Sequence, residues 1–118
     1  MNQKNLEKRL IQFSTSILNY ASNLPKKLNG RSYLKNQVSR SSIAAALNYG
    51  EAQSAESRKD FIHKMRISLK ELRETYIALQ IIQELQDCND VELKPILIEN
   101  NELISIFVSS IKTASLKI

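Results

Sequence analysis

LEKRLIQFSTSILNYASNL, residues 6–24, places Leu6, Leu10, Phe13, Ile17, Tyr20 and Leu24 at alternating steps of four and three. That spacing draws a single apolar seam along an α-helix, as in a bundle or coiled coil. The helix is predicted to stop at Leu24, because Pro25 follows and pushes its predecessor out of the α region. Lys26 to Gly30 then reads as a short loop that carries Asn29-Gly30 turn chemistry.

Working outward, the same reasoning places three more helices. The second runs from Ser32 to about Tyr49, with Gly50 as the residue that terminates it. Its middle, Ser41 to Leu47, is rich in small side chains, which suit either close packing inside a bundle or a contact with another subunit. Ser54 is read as the cap of a long third helix, Ala55 to Gln86, with Phe61, Met65, Leu69, Leu72, Tyr76 and Leu79 as its main stripe. Ile67, Ala78, Ile81 and Leu85 fall on a different side. The fourth helix starts between Val91 and Leu93, capped by Asn89 or Asp90, because Pro95 is tolerated only near a helix start. It ends near Lys112, and Thr113 to Ile118 reads as a frayed tail. Ile98 and Ile106 lie outside its main apolar arc.

Four helices joined by loops of about four to six residues make antiparallel neighbours. The expected fold is therefore all-α, an up-down-up-down four-helix bundle forming one domain over residues 1–118. Its predicted core contains Leu6, Leu10, Phe13, Ile17, Val38, Phe61, Met65, Leu72, Leu79, Leu103 and Phe107.

Composition agrees and narrows the chemistry. With only two glycines and two prolines in 118 residues, the chain lacks the turn residues of a β-sandwich, a barrel or a doubly wound α/β domain. His63 is the single histidine and Cys88 the single cysteine, too few for a zinc site built from those residue types alone. Asp60-x-x-His63 has the spacing of half a di-iron motif, but the second histidine is missing, so no metal is expected. There is no phosphate-binding glycine loop and no nucleophile elbow; no cofactor and no enzymatic activity are expected. A lone cysteine, a polar start leading into a periodic helix, and the lack of a long apolar run point to a cytoplasmic protein without a membrane span.

Charge is unevenly placed. Residues 1–50 set eight basic side chains against Glu7 alone, residues 51–86 balance, and residues 87–118 carry a small acidic excess. Lys59, Arg66 and Arg73 repeat every seven residues with Lys70 beside them, a basic ridge along one helix face. Together with Lys26, Lys27, Arg31 and Lys35 they form a candidate surface for RNA or DNA; the other reading is a solvated face. Tyr33 and Tyr49 are the only tyrosines expected outside the core, so aromatic support for base stacking is thin. A polar network of Arg40, Asn48 and Glu51 with Glu71 and Glu74 is expected to fix the register of the second and third helices.

These residues bring a family into view. Arg40-Ser41, Asn48-Tyr49, Glu51-Ala52, Ala55-Glu56-Ser57, Lys59-Asp60-Phe61-Ile62-His63-Lys64 and Leu69-Lys70-Glu71-Leu72-Arg73-Glu74 follow one another without a gap. The chain thereby resembles the bacterial four-helix-bundle proteins encoded in 23S ribosomal RNA intervening sequences, most densely from Gln37 to Ile82. It departs from them at Ala45-Ala46, where Ile-Gly is common, at Gly50, where a basic residue is, and at Ala78, where a tryptophan is. The resemblance implies an antiparallel bundle, commonly a homopentamer, and no established biochemical activity. More distantly, similar bundles serve diversity-generating retroelements as accessory subunits that bind a reverse transcriptase and nucleic acid.

The expected function is thus a non-enzymatic oligomeric scaffold that binds RNA or DNA, the alternative being a protein–protein adaptor with no nucleic-acid role. Ile67, Ile81, Leu85, Ile98 and Ile106, which one bundle does not need for its core, are the expected contacts of a homo-oligomer.

Overall fold

The computed structural model describes residues 2–24, 32–85 and 91–117. They form four α-helices, α1 Gln3–Ser22, α2 Ser32–Gln53, α3 Arg58–Leu85 and α4 Leu93–Ser115, and no strand occurs among the described residues. Each helix packs on the next and α4 returns to α1, which closes the bundle. Three contacts fix the antiparallel sense of α1 and α2: Tyr49 Oη donates to the Gln3 carbonyl (3.3 Å), Ser14 Oγ to that of Ser42 (2.8 Å), and Lys35 Nζ to that of Leu24 (3.2 Å). The bundle measures 49 × 22 × 20 Å.

The α1 seam is buried from Leu6 to Leu24, as its spacing requires. Val38, Met65, Leu72, Leu79, Leu103 and Phe107 join it in the core. Phe61 does not: it is half-buried at the rim, and Ile62 takes the core position. The buried line of α3 runs through Ile62, Met65, Ser68, Leu72, Thr75, Leu79 and Ile82. Its physical cause lies in α2, whose facing side chains are Ser41 and Ala45, both fully buried. Ser68 Oγ donates to the Ala45 carbonyl (2.6 Å) and the Thr75 and Ser41 hydroxyls meet at 2.6 Å. Small polar residues therefore sit at the α2–α3 contact without an unmet hydrogen bond, while Phe61, Leu69 and Tyr76 lie at the edge. Ala78, expected on a second side, is buried too.

Several helix ends differ from expectation. Gly50 does not end α2, which continues to Gln53 and buries Ala52. Nothing lies within 4 Å of where a Cβ at Gly50 would stand, so this glycine serves no close approach. Ser57, rather than Ser54, caps α3, accepting the Asp60 N–H at 3.0 Å. The α4 helix extends to Ser115 because Ala114 packs into the core, so Thr113 to Ser115 is not a tail. The expected loop from Lys26 to Gly30, the caps Asn89 and Asp90, and Cys88 lie outside the described residues.

Candidate functional surface

The α3 helix owes its outer face to what its inner face requires. With Ser68, Leu72, Thr75 and Leu79 turned inward, Lys59, Arg66, Lys70 and Arg73 turn outward, and all four are exposed. At 3.6 residues per turn they fall within about 60° of one another, along ~21 Å of helix. His63 lies exposed on the same face. None of the four is within ion-pair distance of a described carboxylate, whereas Arg9, Arg40 and Lys64 all are. The other expected members of the surface are placed differently. Lys35 is half-buried and tied to the Leu24 carbonyl at the end of α1. Lys26, Lys27 and Arg31 lie outside the described residues.

Beside the ridge stands the expected polar network, in part. Arg40 Nη1 is 3.7 Å from Glu71 Oε1, and Arg40 Nη2 is 3.8 Å from Glu74 Oε2. Glu71 is 8% exposed and its Oε1 has no hydrogen-bond partner. Burial pushes the Glu71 carboxyl above the ordinary carboxylate range, and a hydrogen bond and the charge of Glu74 push the same way; Arg40 and Lys70 oppose them. Glu51 accepts from Lys64 at 3.1 Å, a contact between α2 and α3 as expected. Asn48 does not reach α3. Its amide donates to the Ala44 carbonyl of its own helix (2.9 Å), one turn back, where a short side chain finds its nearest acceptor.

Past Arg73 the outward line of α3 carries two apolar residues, Ile77 and Ile81, beside the polar Gln80 and Glu84. Ile77 and Ile81 are exposed, and Tyr33 at the start of α2 faces them across an open groove of about 370 Å³. Buried Leu34 and Ala78 also line it, with Gln37 and Glu74 supplying polar atoms. Tyr49, also expected outside the core, is buried: its ring packs edge-on against Phe107 with centroids 5.8 Å apart. Burial, and to a smaller degree Glu7, raise its phenol pKa.

The five residues expected to join subunits differ in exposure. Ile67 and Ile106 are half-buried, with Ile106 packed against the core. Ile81 and Leu85 are exposed on the last turns of α3, and Ile98 is exposed on α4.

Two polar features were missed from the residues alone. Arg9 Nε and Nη2 donate to both Glu99 oxygens (3.0 and 2.6 Å), and Nη2 also lies 3.0 Å from Glu102 Oε1. This clamp ties α1 to α4 and holds the guanidinium charge more firmly. The i, i+3 spacing of Glu99 and Glu102 signals an acidic pair, but its partner stands some ninety positions away and only the topology supplies it. Asn100 is fully buried, donating to the Leu72 carbonyl at 3.0 Å, and its Oδ1 has no partner. Among the described residues, no three His, Cys, Asp or Glu side chains are grouped to hold a metal ion, and no helix is long and apolar enough to cross a membrane.

Comparison with known proteins adds a family to this geometry. Residues 3–109 match the model of the 23S rRNA-intervening sequence protein family. Among solved structures, the chain is similar to the crystal structure of a protein of unknown function from the S23 ribosomal protein family of Bacteroides thetaiotaomicron VPI-5482. The two share 26% identity and a TM-score of 0.81, over 95% of this chain and 99% of that one. No curated protein gives a significant match.

Proposed function

The chain belongs to the 23S rRNA-intervening sequence protein family, and from that premise we propose that it is a non-enzymatic binding protein whose α3 ridge holds RNA or DNA. The observation that carries this reading is the line of Lys59, Arg66, Lys70 and Arg73, exposed on one helix face with no described carboxylate in ion-pair distance, while three other cations of the bundle are paired with carboxylates. Side chains on a rigid helix keep a fixed spacing, so the strand meets a track rather than four independent tethers. Displacing condensed counterions from the strand drives such binding. Self-association would repeat the track and add avidity. Leu85 and Ile98, both exposed, are the apolar contacts this reading assigns to it. In a protein–protein adaptor the same four cations would only keep the face hydrated. Fluorescence anisotropy of a labelled oligonucleotide at low salt separates the two: saturable binding supports the ridge, and its absence there removes the nucleic-acid reading.

A further inference from the structure

Resting on that reading, we propose that the groove between the start of α2 and the end of α3 holds an unstacked nucleobase, which makes single-stranded nucleic acid the ligand of the ridge. The observation is one of continuity. Lys59, Arg66, Lys70 and Arg73 point outward along α3, and further along that face Ile77 and Ile81, beside the exposed Gln80 and Glu84, form one wall of the groove. Tyr33 forms the other and is 63% exposed. Of the four tyrosines, Tyr20 and Tyr49 are buried and Tyr76 is half-buried, so Tyr33 is the most exposed.

A positively charged track that ends at an aromatic platform is what single-strand binders use: phosphates follow the cations and a base stacks on the ring. Both parts are needed to describe the occupant. An acidic peptide satisfies the ridge but offers Tyr33 a flat face only where an aromatic side chain happens to follow its charges, and an apolar segment satisfies the groove but leaves the cations unmet. A nucleotide strand carries an anionic backbone and flat bases together. A duplex keeps those faces inside its own stack, so it gains the ridge and loses the groove. Polar atoms at the groove set an orientation. The Glu74 carboxylate repels phosphate and accepts from a base N–H such as thymine N3–H, and the Gln37 amide can both donate and accept. The base therefore enters while its phosphate stays on the Arg73 side. Arg40, 3.8 Å from Glu74, limits the repulsion.

The test uses the full chain and three labelled probes: an oligothymidylate of about twelve nucleotides, within the span of known single-strand sites, an abasic sugar-phosphate strand of the same length, and a duplex. Stacking of one base should tighten oligothymidylate over the abasic strand at least about fivefold. Tyr33→Ala should erase that difference and leave the salt dependence unchanged, because it removes no phosphate contact. Tyr33→Trp should keep it, and light scattering should give both variants the parent mass. If the thymidylate and abasic strands bind equally, the ridge stands and the groove assignment falls. If neither binds, both fall. If Tyr33→Ala changes the mass, a second copy of the chain covers the groove and the assignment is likewise overturned.

Discussion

Replacing Glu71 with glutamine should stabilise the protein at neutral pH, because the parent buries a carboxylate that its surroundings serve poorly. The residue is 8% exposed, and its Oε1 accepts no hydrogen bond. The nearest cation, Arg40 Nη1, is 3.7 Å away, beyond hydrogen-bond length, on a side chain that is 59% exposed and well screened. Leaving a buried polar group unsatisfied costs ~1–3 kcal/mol, and an exposed ion pair returns ~0–1 kcal/mol, so about 1 kcal/mol of net penalty remains. Glutamine keeps the shape, removes the charge, and can donate to Glu74 as the protonated carboxyl does. The sign with pH follows from the raised pKa, caused by burial first and Glu74 second. The folded state keeps the Glu71 proton to higher pH than the unfolded chain, so the parent loses stability as pH climbs from the unfolded carboxylate value through the raised folded one. Above that window the full penalty persists. At about pH 3.5, where the carboxyl is protonated in both states, parent and variant should melt alike. At neutral pH the variant should melt roughly 4 °C higher by far-ultraviolet circular dichroism. A variant that melts lower than the parent at neutral pH, with no dependence of the gap on pH, would refute the reasoning.

Arg40→Ala should lower stability by ~0.5–1 kcal/mol in the parent and by less in a Glu71→Gln background, where of its two partner charges Glu74 remains; a double-mutant cycle by thermal melting reads the difference. Arg9→Ala should cost ~1–2 kcal/mol by opening the α1–α4 clamp, and Arg9→Lys should recover only part of it, since lysine cannot reproduce the two-pronged contact with Glu99. Faster amide exchange in α1 should accompany the loss. Light scattering at micromolar concentration should give a mass above one chain, reduced by Ile98→Glu without loss of helical signal; a monomer mass for the parent would remove the self-association reading.

Much of the fold was legible because α1 writes its buried face in large apolar residues at an unbroken 3–4 spacing, and all six seam positions from Leu6 to Leu24 are buried. On α3 the apolar residues alone mark a face slightly rotated from the buried one. Its buried line includes Ser68 and Thr75, which apolarity does not flag and whose hydroxyls are satisfied only by Ala45 and Ser41 on a neighbouring helix. That rotation is why Ile62 replaced Phe61 in the core. The ridge survived it, since residues seven apart share a face whichever way the helix turns. The pairing of Arg40 with Glu71 and Glu74 was legible from the antiparallel hairpin, but the depth of Glu71 was not, because depth depends on α2 presenting small side chains beside it. Tyr33 and Tyr49 look alike in sequence. One turns into the core against Phe107 and one stays outside, and only the packing separates them.

The salt dependence of oligonucleotide binding tests the ridge most directly. Four phosphate contacts on a single strand give a slope of log affinity against log salt near −2.8, a loss of roughly fiftyfold between about 50 and 200 mM. Arg66→Gln with Arg73→Gln removes two of those contacts and should halve the slope while leaving the melting temperature unchanged, both side chains being exposed. A slope that is the same in parent and double variant would contradict the assignment of the phosphate track to α3.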